Sequence, residues 1–262
     1  MKSNGANPSR ARYVALGSSF AAGIGLGQRV PGSPRLCMRT VNSYPQQLSR
    51  LTGMSLVDVT SSGAKTTHVL RGGQYFQAAQ LDALDGETEL VTITIGGNDI
   101  SYVGDLVFLA GRHGRGVFGW LLRHIWKGPL APDKRNWAAL QADLLAVFQE
   151  IRRRSPNARV IVATYPTILP PEGICPSLNL TAAEAAMMRQ VGVRLAEITR
   201  TAALEADAEI FDLEKVSAGH HACAPEPWVQ GGRKSAGTLF HPSLAGATAT
   251  AKAMAQFLGR MN

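Results

Sequence analysis

Five short apolar runs with helical segments between them constrain this chain more than any other feature. They read RYVALG from Arg12, SLVDVT from Ser55, LVTITIG from Leu90, ARVIVATY from Ala158 and AEIFDL from Ala208. Each has the length and composition of a buried strand. The stretches between them repeat apolar residues at helical spacing. Trp137, Leu140, Leu144, Val147, Phe148 and Ile151 share one helical face, as do Ala185, Met188, Val191, Leu195, Ile198 and Ala202. The second set stands behind Thr181 and Glu184, which are spaced as a capping box. Leu244, Ala247, Ala251, Met254 and Leu258 mark a closing helix. Strands that alternate with helices pair in parallel through right-handed crossovers, so both faces of the sheet are covered. The pattern predicts an α/β fold, a three-layer sandwich around a central, mostly five-stranded parallel sheet.

A chain of 262 residues that is 45% hydrophobic has enough apolar surface for one such domain spanning 1–262, and it shows no internal repeat or low-complexity linker. The formal net charge of +8 suits anionic partners such as lipid headgroups or acidic polysaccharide. Nucleic acid is not expected, because the sequence carries no helix-turn-helix, zinc-finger or aromatic RNA-binding signature. No run approaches about 18 uncharged apolar residues, so no membrane span is expected. The N-terminal MKSNGANPSRAR lacks the apolar core of a signal peptide, which leaves a cytoplasmic protein or the mature form of a secreted one. Cys37, Cys175 and Cys223 cannot all pair within one chain. A disulfide between Cys175 and Cys223 leaves Cys37 free; the alternative is a zinc site from His220, His221, Cys223 and Cys175, which lacks the close-spaced thiol pairs of structural zinc sites. No metal or other cofactor is assigned.

Chemistry is sought beyond the carboxyl ends of the strands, where the loops of an open parallel sheet gather. Gly17, Ser18 and Ser19 follow the first run, Gly63 lies in TSSGAKT after the second, Asn98 lies in GGND after the third, and His241 precedes the last helix. Each alone has a structural explanation, as a helix cap, a turn or a buried histidine. Together they supply a hydroxyl, a base of suitable pKa, and neutral N–H groups for an oxyanion, which is the equipment of acyl transfer.

GSSFAAG from Gly17, SSGAKT, GGND and FHPSLAGATATA, in that order, resemble the motif blocks of the SGNH hydrolases, also called GDSL esterases and lipases. RTVNSYPQQLS and HHACAPEPWV add similar flanks, and the likeness is nearest to the actinobacterial-type secreted lipases and esterases. The resemblance implies a flavodoxin-like SGNH fold and a bacterial serine carboxylic-ester hydrolase acting on lipid-like or small acyl esters. It implies Ser19 as nucleophile, His241 as base, and an oxyanion hole of Ser19 N–H, Gly63 N–H and the Asn98 side chain.

Three departures bear on this reading. Ser18 replaces the family's aspartate, but the spacing to Phe20 and Gly23 keeps the nucleophile at Ser19. Thr238 stands where the family often has an aspartate three residues before the histidine. A Ser–His dyad with the Thr238 carbonyl as orienter is expected, with Asp212 at the end of the fifth strand as the less favoured carboxylate. Ser61 stands where relatives commonly have a cysteine, which fits an unpaired Cys37. His68 and Asp99 read as structural, with Asp99 an N-cap.

A basic, aromatic-rich insert at about 102–135 follows GGND. Between 108 and 127 it mixes Phe108, Phe118, Trp120, Leu121, Leu122, Ile125 and Trp126 with Arg112, Arg115, Arg123 and Lys127. It suits a lid, an acyl pocket or contact with an anionic membrane surface; the plainer alternative is an extra helical hairpin on the core. Other readings are an acetyl esterase on acetylated carbohydrate and a catalytically silent binding protein of the same fold. A dinucleotide site at GIGLG is disfavoured, since Gly-x-Gly-x-x-Gly does not follow the first strand.

Overall fold

The computed structural model describes residues 12–233 and 237–259; residues 1–11, most of the N-terminal segment considered above, and the side chain of Phe118 lie outside the description. The five apolar runs form strands β1 (Arg12–Gly17), β2 (Ser55–Asp58), β3 (Thr88–Thr94), β4 (Arg159–Ala163) and β5 (Glu209–Phe211). They make one parallel sheet in the order β2-β1-β3-β4-β5. The described helices are α1 (Ser19–Ala22), α2 (Tyr44–Thr52), α3 (Thr66–Arg71), α4 (Tyr102–Arg112), α5 (Val117–Ile125), α6 (Trp137–Arg154), α7 (Ala182–Glu205), α8 (Leu213–Val216) and α9 (Leu244–Gly259).

The layering follows from the twofold alternation of side chains along each strand. Val14, Leu16, Val91, Ile93, Val160 and Val162 point into a core shared with α4, α6 and α7. Tyr13, Ala15, Leu90, Ile161, Ala163 and Phe211 point the other way, into a core completed by α2 and α9. Both faces are buried, which is why the strands read as continuous apolar runs. The face of α6 from Leu140 to Ile151 and that of α7 from Ala185 to Ala202 are buried as their periodicity requires. The capping box of α7 is formed: Glu184 N–H donates to Thr181 Oγ1 at 3.2 Å, and Thr181 N–H donates to Glu184 Oε2 at 2.7 Å. Leu244 departs from expectation. It opens α9 and is exposed, because the inward face begins only with Gly246 and Ala247.

The strand order places the site. From β1 the chain moves outward to β2, then returns to the other side of β1 as β3. At such a reversal the loops after the two central strands diverge to opposite faces and leave a crevice between them. Ser19 follows β1 and Asn98 follows β3. A disulfide joins Cys175 to Cys223, so both thiols are unavailable to zinc, while Cys37 is free and buried.

Candidate active site

The first of these loops is tightly constrained at its root. Gly17 pairs with Thr94 of β3, and its φ of +127° is one that side chains rarely adopt. A Cβ there would stand 2.5 Å from the Thr94 carbonyl oxygen. Buried Gln80 holds the same residue from the side, accepting Gly17 N–H at 2.8 Å and donating to Gly17 O at 3.1 Å. Ser18 N–H donates to Thr94 O at 3.0 Å, and its side chain shares a 3.0 Å hydrogen bond with the Tyr165 hydroxyl. Ser18 is therefore turned inward and engaged. Ser19 is the first residue of α1, so its N–H belongs to the first-turn amides that have no partner inside a helix.

Ser19 meets His241. Its Oγ lies 2.8 Å from His241 Nε2, and the two residues are only 6% and 8% exposed, little enough to exclude bulk water from the pair. The Nδ1 of the ring lies 2.8 Å from the Leu239 carbonyl oxygen. Nδ1–H donates to that carbonyl, which leaves Nε2 as an acceptor for the Ser19 hydroxyl. Burial pushes the His241 pKa down to about 4, opposed only by the hydrogen bond to Leu239. The ring stacks obliquely on Phe20, with centroids 5.0 Å apart.

This geometry corrects both expectations about the histidine's orienter. Residues 238–241 form a tight turn in which His241 N–H donates to Thr238 O at 3.2 Å and Phe240 takes a φ of +55°. The Thr238 carbonyl is taken up by closing the turn, and the next carbonyl, that of Leu239, faces the ring. Asp212 is not near the histidine's bonds at all. Its carboxylate is held by Arg200 at 2.7 and 3.0 Å and by Lys215 at 3.0 Å, with Thr164 Oγ1 at 3.4 Å.

The loops after β2 and β3 are tied to each other. Asn98 Nδ2 donates one hydrogen to Ala64 O at 2.9 Å, which ties the loop after β3 to the loop after β2 and leaves the other hydrogen free to point elsewhere. In that second loop Ser62 N–H and Ala64 N–H are bonded to Cys37 O and Ser61 O. Among the described residues the Gly63 N–H between them donates to no protein acceptor. Asp99 accepts from Thr66 N–H at 3.1 Å and from Thr66 Oγ1 at 2.6 Å, so it caps α3 across the crevice. His68 completes that end of α3, its Nδ1 accepting Lys65 N–H at 3.0 Å. Leu239, Gln80 and Tyr165 were not anticipated. A backbone acceptor leaves no mark in a sequence, and Gln80 and Tyr165 reach the site from 63 and 147 residues away.

The insert becomes α4 and α5. The apolar face of α4 is buried, with Val103, Leu106, Leu109 and Ala110 in the core. In contrast α5 presents Val117, Trp120, Leu121 and Ile125 to solvent, at 75%, 53%, 37% and 68% exposure. The plain hairpin reading thus holds for α4 but not for the outer face of α5. The segment after α5 contributes Pro129 and Leu130 to a cleft of about 510 Å³ that is also lined by Lys65 and Asp99.

Comparison with known proteins shows the family. Residues 15–249 match the model of the GDSL-like Lipase/Acylhydrolase family. The chain is similar to Lipase 2 of Streptomyces coelicolor, 35% identical over 224 residues that cover 80% of this chain and 72% of the relative. It is similar in structure to an extracellular lipase from Streptomyces rimosus, with a TM-score of 0.73, 27% identity, and coverage of 94% of this chain and 99% of that one. A phospholipase A1 from Streptomyces albidoflavus shares the fold, with a TM-score of 0.72 at 23% identity over 95% and 99% of the two chains.

Proposed function

The chain belongs to the GDSL-like lipase/acylhydrolase family and is a carboxylic-ester hydrolase, and from that premise we propose that it cleaves lipid-like or small acyl esters with Ser19 as nucleophile and His241 as base. The observation that carries this reading is the 2.8 Å separation of Ser19 Oγ and His241 Nε2. Ser19 Oγ attacks the acyl carbonyl carbon while its proton passes to Nε2. The oxyanion is received by the N–H groups of Ser19 and Gly63 and by the Asn98 amide. His241 then protonates the departing alkoxide, leaving the acyl group on Ser19. Water attacks this ester with His241 again as base, and the acid is released. The Leu239 carbonyl holds the tautomer throughout, so the pair acts as a dyad. No step calls for a cofactor. The sequence acts as one hydrolase domain, and the insert selects the substrate through the cleft it walls. The exposed apolar face of α5, flanked by Arg115, Arg123 and Lys127, supports contact with an anionic membrane surface.

The test is turnover of p-nitrophenyl esters over a range of acyl lengths by the wild type and by Ser19→Ala. The wild type should turn over and Ser19→Ala should not, with a serine-reactive phosphonate labelling Ser19. An adduct on Ser18 alone would overturn the assignment. A wild type that turns over no ester would point to a silent binding protein, and strict preference for acetyl groups on sugars would point to a carbohydrate esterase.

A further inference from the structure

Tyr165 follows β4 and belongs to none of the loops that carry the reacting groups, yet it touches the neighbour of each. Its hydroxyl accepts Gly97 N–H at 3.1 Å and shares the 3.0 Å hydrogen bond with Ser18 Oγ. Gly97 precedes Asn98, and Ser18 precedes Ser19. Its ring meets Phe20 edge-on at 4.7 Å between centroids, and Phe20 is the residue that stacks on His241. Gly97 is shaped for this approach, because a Cβ there would fall 2.7 Å from the Tyr165 ring. Tyr102 meets Tyr165 edge-on, with ring centroids 6.3 Å apart. We propose that Tyr165 is a positioning residue that sets the distances among nucleophile, oxyanion donor and base, a role that rests on the Ser19–His241 reading above.

The logic is one of rigid spacing. Acyl transfer needs Ser19 Oγ, the Asn98 amide and His241 Nε2 within a few tenths of an ångström of their working places, and a misplacement near 1 Å costs about 10²-fold in rate. The loops after β1 and β3 diverge at the crevice, and beyond the Ser18 N–H to Thr94 O bond at their roots no further backbone–backbone hydrogen bond joins them among the described residues. A buried hydroxyl with one bond to each loop does so directly. Burial raises the Tyr165 pKa to about 12, so the hydroxyl keeps its proton at every pH at which the enzyme would be assayed. Ser18 and Tyr165 are both buried and uncharged, so their pair links the loops without burying a charge.

The experiment is steady-state kinetics on a soluble ester for Tyr165→Phe, Ser18→Ala and the double variant, with phosphonate labelling of Ser19 and thermal melts alongside. Tyr165→Phe keeps the ring contacts and removes only the bridge. It should lower kcat roughly 10- to 100-fold with KM within about twofold, and slow phosphonate labelling in proportion. Since both substitutions cut the same link, the double variant should lose little more than the worse single one. Wild-type kcat in Tyr165→Phe, or losses that simply multiply, would overturn the proposal. If Tyr165→Phe does not fold, Ser18→Ala decides from the other end, an unchanged kcat overturning it. Failure of the underlying reading looks different, because Ser19→Ala would then retain turnover.

Discussion

At the scale of single residues, His241, the base in the proposed reaction, is held by a dipole where many serine hydrolases use a carboxylate. The Leu239 carbonyl fixes the ring, but it offers less than a full charge to the imidazolium formed during proton transfer. Burial lowers the pKa to about 4, well under the usual 6.5. The imidazole must be neutral to accept the Ser19 proton, so activity is present above the folded-state pKa and lost below it. The acid limb of kcat/KM should therefore fall near pH 4, and a pH–rate profile that halves near 6.5 would contradict the assignment. The same shift bears on stability. Between about pH 6.5 and 4 the unfolded chain takes up a proton that the folded one refuses, so stability falls as pH drops through that window and stops falling from this source below it. At Asn98, whose amide spans from Ala64 toward the crevice, replacement by alanine should lower kcat about 10²–10³-fold with KM little changed. A rise in KM at constant kcat would mean that Asn98 binds the ground state instead.

At the scale of elements, the insert combines a rigid root with an open outer face. Buried Arg135 clasps the root. Its guanidinium donates to Asp105 at 2.7 Å, to Leu130 O at 2.8 Å and to Ile100 O. The last carbonyl lies two residues beyond Asn98, so the insert and the loop after β3 share one anchor. Further out, α5 leaves Val117, Trp120 and Ile125 exposed beside cationic side chains. Such a face suits the boundary of an anionic bilayer, where apolar residues enter the acyl region and cations meet headgroups. Flotation with phosphatidylglycerol vesicles should recover the protein, and phosphatidylcholine vesicles should recover much less. Trp120→Glu and Ile125→Glu should lose the vesicles while keeping turnover of a soluble ester. Equal recovery by both vesicle types, or none, would remove the membrane role; concentration-dependent dimers abolished by the same substitutions would reassign the face to a second copy of the chain.

At the scale of the whole molecule, the cross-link between Cys175 and Cys223 closes a stretch with a sequence separation of 48 that includes α7 and β5. Fixing those ends removes unfolded-state freedom worth about 4 kcal/mol in the loop-closure treatment. Cys175→Ser should lower the urea midpoint accordingly, and reductant should have no further effect on that variant. The loops that carry Ser19, Gly63 and Asn98 follow β1, β2 and β3, and His241 lies beyond Cys223, so the proposed site residues are outside the closed stretch. Ser19 and Asn98 should thus stay in place at low denaturant, and kcat of the folded variant should remain close to wild type. A large loss of kcat before unfolding would show that the disulfide also steadies the site.

The amino-acid sequence by itself determined the layers and singled out Ser19 and His241, which the fold brings into contact. Apolar runs of strand length, faces such as Leu140–Ile151, and the Thr181–Glu184 box are local properties, and local physics is readable from local residues. The ordered blocks around Ser19, Gly63, Asn98 and His241 were legible for a related reason, since each carries its chemistry in its own side chain or glycine. Tertiary structure alone decided which groups support them. Leu239 became the acceptor because the turn at Phe240 consumed the Thr238 carbonyl, and neither residue type announces which carbonyl a turn will leave free. Asp212 was claimed by Arg200 of α7, a competition between charges that meet only once the helix has docked. The outer face of α5 has the periodicity of a buried helix and yet is bare, because burial depends on what the rest of the chain brings to cover it.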